Sequence, residues 1–369
     1  MSFKVISVVG ARPNFIKIAP LDREFKKYPE VNHLICHTGQ HFDKNMSNIF
    51  FEQLGITTPA FNLGVSGGSH AKQLASIMTA FEEVLLTEKP DLVVVPGDVN
   101  STLAASLVAS KLGIPIAHIE SGLRSFDRTM PEEINRLLTD QLADMLFVTE
   151  ESGIKNLQHE GIDASKVFFT GNIMIDSLVY QKDQINSDTV LKELALKNGE
   201  FVVATFHRPS NVDNFEKLKN LVEFLNKVAL EMKLVFPLHP RTKHRLSDFK
   251  LLSKLNNNIL LTDPLPYLSF LSLVEKSKLI ITDSGGIQEE TTFLGVPCIT
   301  VRDNTERPVT VDIGSNILAG TNFDQVWKEV QKMLNTLKEV KKGNIPAFWD
   351  GKAAERICKH IVEFLKQRA

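Results

Sequence analysis

Cysteine is scarce in this sequence. Three cysteines occur among 369 residues, Cys36, Cys298 and Cys358, and no two of them form a C-x-x-C pair. Cysteines this far apart argue against a disulfide framework and against structural zinc, and they suit a reducing compartment.

Net charge and long apolar runs are also lacking. The 42 basic and 44 acidic residues give a formal charge of −2, so the chain offers no strong field for nucleic acid or an anionic membrane. The apolar run near the start, Val5–Val9, is far shorter than the roughly 20 residues of a membrane span. We therefore predict a cytoplasmic protein whose partners include neither nucleic acid nor membrane, and which holds any anionic ligand at a local site.

Three common ligand motifs are absent as well. No G-x-G-x-x-G follows a strand and no G-x-x-x-x-G-K-[ST] occurs, so a bound nicotinamide cofactor or a P-loop ATPase is not expected. No H-E-x-x-H spacing occurs either, and we predict neither a metal nor another cofactor.

What the sequence does contain is an alternation of short β-branched runs with helical patterns. Such alternation predicts βαβ units, and two series of them predict an α/β fold of two doubly wound, Rossmann-like domains. The predicted strands are Val5–Val9, Leu34–His37, Leu92–Val95, Ile114–Ile119 and Met145–Val148, then Phe201–Phe206, Leu234–Leu238, Ile259–Thr262, Leu279–Thr282 and Cys298–Val301.

The length also favours two domains, at roughly 150 residues per domain. We place an N-terminal domain at residues 1–170 and a C-terminal domain at 171–351, because the Gly171–Asn172 pair interrupts the pattern. Lys341–Gly343 is predicted to end a long helix, and residues 352–369 have the pattern of a last amphipathic helix.

Three acidic residues follow predicted strands or begin a helix in the first domain. Ligands of open α/β sheets bind outside the carboxyl ends of the strands, so Asp98, Glu120 and Glu132 are candidates for general acid and base work. Simpler roles are open for two of them, because Asp98 could cap the next helix and Glu132 could favour a helix start through the dipole. Glu120 is harder to explain structurally because it ends an apolar strand.

The second domain contains a candidate phosphate cradle at Asp283–Glu290, where an apolar strand runs directly into a helix. Gly285 and Gly286 would let a phosphate approach the backbone. Ser284 could cap the helix or donate to an oxygen, and Glu290 could accept from ribose hydroxyls. An ordinary capped helix after a tight turn would have the same local pattern.

Basic residues accompany both groups of loops. Arg302 and Arg307 follow the cradle and favour a diphosphate ligand. Arg12 and Lys17 flank the first turn of the first domain, where a guanidinium matches phosphate oxygens, although Lys17 could be a solvated helix residue. His207 ends its strand and can bind phosphate, or it can be a satisfied buried histidine.

In order and spacing, these loops resemble the non-hydrolysing UDP-N-acetylglucosamine 2-epimerase family over essentially the whole chain. The most diagnostic segments are Asp283–Glu290 and Arg302–Pro308. The other matching segments are Gly10–Lys17, Thr38–His41, Gly97–Asp98, His118–Arg124, Pro131–Arg136, Thr170–Asn172, His207–Arg208 and His239–Pro240.

The resemblance implies a GT-B fold with a cleft between the domains, a final helix that packs back on the first domain, and a homodimer. It implies interconversion of UDP-GlcNAc and UDP-ManNAc by elimination of UDP to 2-acetamidoglucal and re-addition, in cell-surface polysaccharide biosynthesis.

The resemblance also assigns roles to individual residues. Asp98, Glu120 and Glu132 become the acid and base set, with His207 needed for turnover. Because Glu133 lies about 100° around the helix from Glu132, we assign the role to Glu132 alone. The implied UDP-sugar ligands are Arg12, Lys17, His207, Phe270, Ser284, Gly285, Gly286, Glu290 and Arg307.

Departures from the family pattern leave the sugar open. Ala11–Asn14 replaces a common Thr-Arg-Pro-Glu, and relatives that act on UDP-2,3-diacetamido-2,3-dideoxyglucuronate resemble this form. The reaction type also has competitors: a GT-B glycosyltransferase, a hydrolase that releases free ManNAc, and a non-catalytic nucleotide-sugar sensor. Three acids favour epimerisation over transfer, which needs at most one base near C1, and a sensor would lack one of them.

Overall fold

The computed structural model describes residues 2–39, 54–182, 187–335 and 344–369, without the side chains of Arg12, Ser187 and Asp188. Gln40, His41 and the predicted helix end at Lys341–Gly343 lie outside this description. The chain divides into two compact units: unit 1 runs to Tyr180 and includes Ala347–Ala369, and unit 2 comprises Gln181–Pro346.

Unit 1 is built on a parallel sheet of seven strands in the order β3-β2-β1-β4-β5-β6-β7. The strands are β1 Phe3–Val9, β2 Val31–His37, β3 Phe61–Asn62, β4 Leu92–Pro96, β5 Ile116–Ser121, β6 Met145–Val148 and β7 Val167–Phe169. All five residues of β4 are buried, as expected for a central strand covered on both faces.

The helices of unit 1 connect these strands. They are α1 Arg12–Phe25, α2 His70–Glu88, α3 Asn100–Lys111, α4 Pro131–Leu142, α5 Glu151–His159, α6 Ile173–Lys182, whose last two residues belong to unit 2, and the final helix, α15 Ala353–Arg368. A 3-10 turn at Ala164–Lys166 precedes β7. The apolar core of the sheet contains Ile6, Val95, Leu146 and the α2 residue Phe81.

Unit 2 repeats the plan with six parallel strands in the order β10-β9-β8-β11-β12-β13. The strands are β8 Phe201–Thr205, β9 Lys233–Pro237, β10 Ile259–Thr262, β11 Leu279–Thr282, β12 Cys298–Thr300 and β13 Asn316–Leu318. The helices are α7 Ser187–Glu193, α8 Pro209–Val212, α9 Phe215–Glu231, α10 Pro240–Asp248, α11 Tyr267–Lys276, α12 Gly285–Leu294, α13 Val309–Asp312 and α14 Phe323–Asn335, with a 3-10 turn at Leu252–Lys254.

The two doubly wound sheets predicted from the sequence are confirmed, and all ten predicted strands are present with ends that shift by a few residues. Three short strands, β3, β7 and β13, were not predicted. Each has two or three residues and lies at an edge of its sheet, so it is too short and too exposed to produce an apolar pattern.

The boundaries between the units differ from those expected at residues 170/171 and 351/352. Helix α6 belongs largely to unit 1 because Ser177 donates to the carbonyl of Ile16 at 2.5 Å and Asp176 accepts from the first two amides of α15. Trp349 also belongs there, since it is fully buried and donates to the carbonyl of Thr149 at 3.1 Å. Gly171 is therefore inside unit 1.

Helix α15 is attached to unit 1 through α1. Its apolar side is buried and includes Ile357, Ile361 and Leu365. Among the described helices, none combines the length and the apolar composition that a membrane span requires.

Candidate active site

The carboxyl edge of the unit 1 sheet contains a buried ion pair. Lys17, one turn and a half into α1, pairs its ammonium with the carboxylate of Glu120 at the end of β5, and both side chains are almost fully buried. Gly97 adjoins this pair, since a Cβ added there would lie 2.9 Å from the Lys17 Nζ. Helix α1, the end of β5 and the loop after β4 therefore meet at Lys17.

Asp98 follows Gly97 and is bound by an arginine from α4. The Asp98 Oδ2 accepts from the Arg136 Nε at 2.9 Å and pairs with its Nη2 at 2.7 Å. Helix α3 takes Val99 as its N-cap and Asp98 stays outside it, so the simpler capping role does not hold. Arg136 was not among the predicted site residues, although its place one turn after Glu132 in α4 is a sequence signal.

The two adjacent acids of α4 have different surroundings. Glu133 is buried, and its carboxylate accepts from the amides of Ser125 and Phe126 at 2.9 and 3.0 Å and from Arg136 at 2.6 Å. Glu132 is half-buried in the same first turn. The structure thus gives Glu133 a supporting role and leaves Glu132 nearer to solvent.

Glu120 has an unusual backbone. Its φ of +71° is in the left-handed region, which a non-glycine residue rarely adopts. The pairing of β5 with β6 shifts register between Ile119 and Ser121, so the chain bulges at this residue. Strain of this kind persists only where neighbouring contacts enforce it, and it concentrates at functional sites.

In unit 2, the cradle is the start of α12. Ser284 occupies the N-cap, but its side chain makes no capping hydrogen bond within the described structure. Of the two roles considered for Ser284, the contacts therefore do not support the cap, and donation to a ligand oxygen stays a prediction. An added Cβ at Gly286 meets no described atom within 4 Å, and one at Gly285 would lie 2.8 Å from the Arg307 Nη1. The helix start, its amides and a guanidinium therefore lie together, which is the arrangement that binds phosphate.

The two arginines after β12 do different things. Arg302 forms two parallel hydrogen bonds to the buried carboxylate of Glu306, at 2.8 and 2.9 Å, and is occupied by this contact. Arg307 pairs its Nε with the Glu289 Oε1 at 2.7 Å while its Nη1 stands next to Gly285. Arg307 is therefore the arginine that is both fixed, by Glu289, and next to the phosphate cradle.

His207 is oriented by a buried carboxylate. Its Nδ1 pairs with the Asp283 Oδ1 at 3.1 Å, and its ring lies 5.2 Å from that of His239. Burial raises the pKa of Asp283, but hydrogen bonds from His207, Asn211 and the Arg208 amide outweigh burial and lower that pKa below its usual value. Asp283 is therefore a carboxylate that fixes the His207 ring.

Glu290 lies in the second turn of α12. Burial raises the pKa of Glu290 from 4.5 to about 7, the Tyr267 hydroxyl bonds to it and partly opposes this, and the charge of Glu289 adds to it. Phe270, one turn after Tyr267 in α11, packs on the unit 2 core. The two predicted ligands from this region thus lie on neighbouring helices.

Replacing Glu290 should make unit 2 more stable above neutral pH. The folded state holds a proton on Glu290 up to about pH 7, whereas the unfolded chain releases it near 4.5, so wild-type stability falls as pH rises through this window. Glu290→Gln removes that loss, and urea unfolding at pH 8 should show a gain of about 3 kcal/mol, from 1.36 kcal/mol per pKa unit. At pH 4 the gain should vanish.

The exposed Glu223 of α9 provides the control, because Glu223→Gln leaves the stability difference between pH 4 and pH 8 as in the wild type. If the free energy of unfolding of Glu290→Gln depends on pH as in the wild type, ionising Glu290 does not destabilise the folded state. The inference that burial raises the pKa of Glu290 would then be wrong.

The predicted residues thus divide between the units. Unit 1 contains Lys17, Asp98, Glu120 and Glu132, and unit 2 contains His207, Phe270, Ser284, Gly285, Gly286, Glu290 and Arg307. The Arg12 side chain is outside the described structure. No group of three His, Cys, Asp or Glu side chains is arranged to hold a metal ion in the described part of the chain.

The chain is similar to known proteins over nearly its whole length. The family model described as UDP-N-acetylglucosamine 2-epimerase matches residues 23–362. A UDP-N-acetylglucosamine 2-epimerase of Methanocaldococcus jannaschii is 44% identical over 365 residues, which cover 96% of this chain and 98% of the relative. A UDP-2,3-diacetamido-2,3-dideoxy-D-glucuronate 2-epimerase of Pseudomonas aeruginosa is 41% identical over 363 residues, covering 98% and 99%.

The fold has a close match among solved structures. The crystal structure of the Methanocaldococcus jannaschii UDP-GlcNAc 2-epimerase in complex with UDP-GlcNAc and UDP gives a TM-score of 0.91 at 44% identity, covering 98% of this chain and all of that one. The GT-B class predicted from the sequence is confirmed by this similarity.

Proposed function

The chain belongs to the UDP-N-acetylglucosamine 2-epimerase family, and we propose that it interconverts UDP-GlcNAc and UDP-ManNAc without releasing free sugar. One observation carries this proposal: Lys17, Glu120 and the loop that bears Asp98 meet at one sheet edge. A transferase needs at most one base near C1, whereas inversion at C2 needs a carboxylate that removes a proton from one face and a carboxylic acid that returns one to the other face.

The chemistry of the sugar explains the need for UDP elimination. The C2 hydrogen is not next to a carbonyl, so a carboxylate cannot remove it directly at neutral pH. As the C1–O bond breaks, its electron pair leaves on UDP and the positive charge at C1 makes the C2 hydrogen acidic. A carboxylate takes that proton, the C1–C2 double bond of 2-acetamidoglucal forms, and re-addition of UDP with protonation of the other face completes the inversion.

We assign UDP binding to unit 2. The amides at the start of α12 and the Arg307 guanidinium would hold the diphosphate and stabilise the charge that develops as UDP departs. The Glu290 carboxyl would accept from the ribose, the Phe270 backbone would contact the uracil, and His207 would contact the phosphate. In unit 1, Arg12 would add a further cation.

We assign proton transfer to unit 1. Asp98, Glu120 and Glu132 form the acid and base set, and two of these carboxylates are held by cations. Arg136 binds Asp98, and Lys17 binds Glu120, so each carboxylate has one fixed orientation. The half-buried Glu132 lies in the first turn of α4, next to the Glu133 that orders the preceding loop.

Incubation with UDP-GlcNAc in D₂O tests the reaction type. The proton removed from C2 exchanges with solvent before the other face is protonated, so UDP-ManNAc should accumulate with deuterium at C2 in an NMR time course. Free ManNAc with UDP as the main products would show a hydrolase. An unchanged substrate that nevertheless binds would leave a sensor or a transferase that lacks its acceptor.

A modified sugar is the second candidate substrate. The Pseudomonas aeruginosa UDP-2,3-diacetamido-2,3-dideoxy-D-glucuronate 2-epimerase is 41% identical to this chain, against 44% for the Methanocaldococcus jannaschii UDP-N-acetylglucosamine 2-epimerase. In the first turn of α1, Asn14 accepts from the Ala11 amide at 2.9 Å and donates to the Pro96 carbonyl at 3.0 Å, in the place where many members have glutamate. The same time course with this sugar compares the two rates directly.

Three further proposals come from the family alone. We propose that the chain forms a homodimer, that it works in the cytoplasm, and that its UDP-ManNAc serves cell-surface polysaccharide biosynthesis. Sedimentation of the purified protein at micromolar concentration tests the first, since a monomer mass there would refute it.

A further inference from the structure

We propose that His118 and Asp140 are positioning residues that together fix the two loops bearing Asp98 and Glu120. Both side chains are fully buried and would touch no substrate. The inference rests on the function proposed above, because it concerns the placement of the acid and base set.

His118 holds the loop that leads to Asp98. Its Nε2 lies 2.8 Å from the carbonyl oxygen of Gly97, and the Gly97 amide donates to the carbonyl of Ile119 at 2.9 Å. Gly97 has a φ of +67° and precedes Asp98 directly. Both polar groups of the Gly97 backbone, the amide and the carbonyl, are therefore hydrogen-bonded to β5. This fixes the residue that directly precedes Asp98.

Asp140 holds the loop that follows Glu120. This residue of α4 accepts through Oδ1 from the His118 Nδ1 at 2.6 Å and through Oδ2 from the Gly122 amide at 3.1 Å. Glu120 lies midway between His118 and Gly122, and it is the residue with the strained backbone and the bulge. One carboxylate therefore reaches both sides of the residue whose conformation needs enforcement.

The pair belongs to a larger network that also contains the buried Arg124 and the half-buried Glu160. Arg124 donates to the Asp140 Oδ2 at 2.6 Å and to the Glu160 carboxylate at 2.6 and 2.7 Å. Burial raises the pKa of Asp140, but His118 and Arg124 outweigh burial, so its pKa lies below the usual value. The two ring nitrogens of His118 face the Asp140 carboxylate and the Gly97 carbonyl, so the ring connects α4 to the loop before Asp98.

Asp140→Asn tests the pair with almost no change in shape. The asparagine oxygen can take the place of Oδ1 and accept from His118. The amide nitrogen then takes the place of Oδ2 and faces two other donors, the Gly122 amide and Arg124. The loop after Glu120 thereby loses the oxygen that accepted its hydrogen bond. We expect kcat for interconversion to fall about 100-fold, since small misplacement of reacting groups costs this much, while KM stays within about twofold. The affinity of unit 2 for UDP should equal that of the wild type. Rates are expressed per UDP-binding site, so that only folded protein is counted.

His118→Gln is the second variant and keeps the test decisive if Asp140→Asn fails to fold. The glutamine amide carries both of its N–H donors on one nitrogen, which cannot occupy the positions of Nδ1 and Nε2 at once. One of the two contacts, to the Gly97 carbonyl or to Asp140, is therefore lost, and we expect a kcat about tenfold lower with KM again near the wild-type value. A kcat equal to that of the wild type in both folded variants would overturn the proposal.

Asp22→Asn is the matched control. Asp22 is another buried carboxylate of unit 1 that pairs with a histidine, since its Oδ1 lies 3.0 Å from the His33 Nδ1. Its partners bear none of the proposed acids, so its variant should lose stability but keep kcat within about twofold, as for a change remote from reacting groups. An equal loss of kcat in Asp22→Asn and Asp140→Asn would make Asp140 merely structural.

The wild type is assayed first on UDP-GlcNAc and on the diacetamido sugar. If neither substrate is epimerised, the proposed function fails. If one is epimerised and the variants behave like the control, the function stands and the positioning role fails.

Discussion

Asp98→Asn should lower the rate of interconversion by about 10²- to 10⁴-fold and leave UDP binding unchanged. An amide can neither take nor return the C2 proton, and loss of a general acid or base costs a factor of this size. The fold should tolerate the change, because the amide oxygen can still accept from Arg136 at the position of Oδ2. The loss is therefore expected in kcat rather than in the binding of UDP by unit 2.

Steady-state kinetics and calorimetric titration with UDP measure the two quantities separately. Glu88→Gln is a matched control, because Glu88 pairs with Lys4 at 2.9 Å and its side chain is 25% exposed, against 28% for Asp98. It should keep the wild-type rate. Lost UDP binding in Asp98→Asn would make Asp98 structural, and an unchanged rate would remove it from the acid and base set.

The main features of the fold could be predicted from the sequence because long apolar strands carry their own signal. In β4 five buried residues follow one another, and a run of that kind is typical of a central parallel strand. Strand β13 has three residues, and Thr300 bonds to its Asn316 through side chains. Such an edge strand depends on its neighbour in space, which the local sequence does not show.

Candidate site residues were predictable where an acidic side chain directly follows a run of apolar strand residues. Glu120 follows the apolar residues of β5, and the rule that ligands bind at the carboxyl ends of parallel strands made it a candidate. Its pairing with Lys17 was not predicted, because Lys17 was expected to contact phosphate or to be solvated, whereas its side chain is buried against Glu120. The partner of Asp98 was not predicted, because Arg136 is 38 residues away and reaches it only when α4 packs beside α3. Local patterns contain the acids but not the residues that orient them.

The contrast between Glu132 and Glu133 shows the same limit. Helix geometry predicts that adjacent residues face different ways, but it does not predict which one is buried. In the structure Glu133 is buried because the amides of Ser125 and Phe126 turn toward it. That turn belongs to a loop without periodicity, so its hydrogen bonds become visible only in three dimensions.

Lys17→Met should produce the second large effect, a destabilised unit 1 that is also inactive. The change leaves the carboxylate of Glu120 buried without its cation, and breaking a buried pair in this way costs about 3–5 kcal/mol. Urea unfolding at pH 8 measures the loss. The pair of Lys26 with Asp22, at 3.1 Å, gives the comparison. Lys26 is 59% exposed and the buried Asp22 keeps His33 and Thr57 as partners, so Lys26→Met should cost less than about 1 kcal/mol.

The double variant Lys17→Met with Glu120→Gln separates stability from chemistry. Replacing both charges removes the uncompensated carboxylate, so most of the lost stability should return, since a buried pair can be replaced by neutral groups at little cost. Activity should not return, because the amide at position 120 cannot transfer a proton. A double variant that regains turnover would show that Lys17 serves only to neutralise Glu120 and that Glu120 is no part of the acid and base set. One that stays as unstable as Lys17→Met would show that the lysine stabilises unit 1 through packing against Gly97 rather than through its charge.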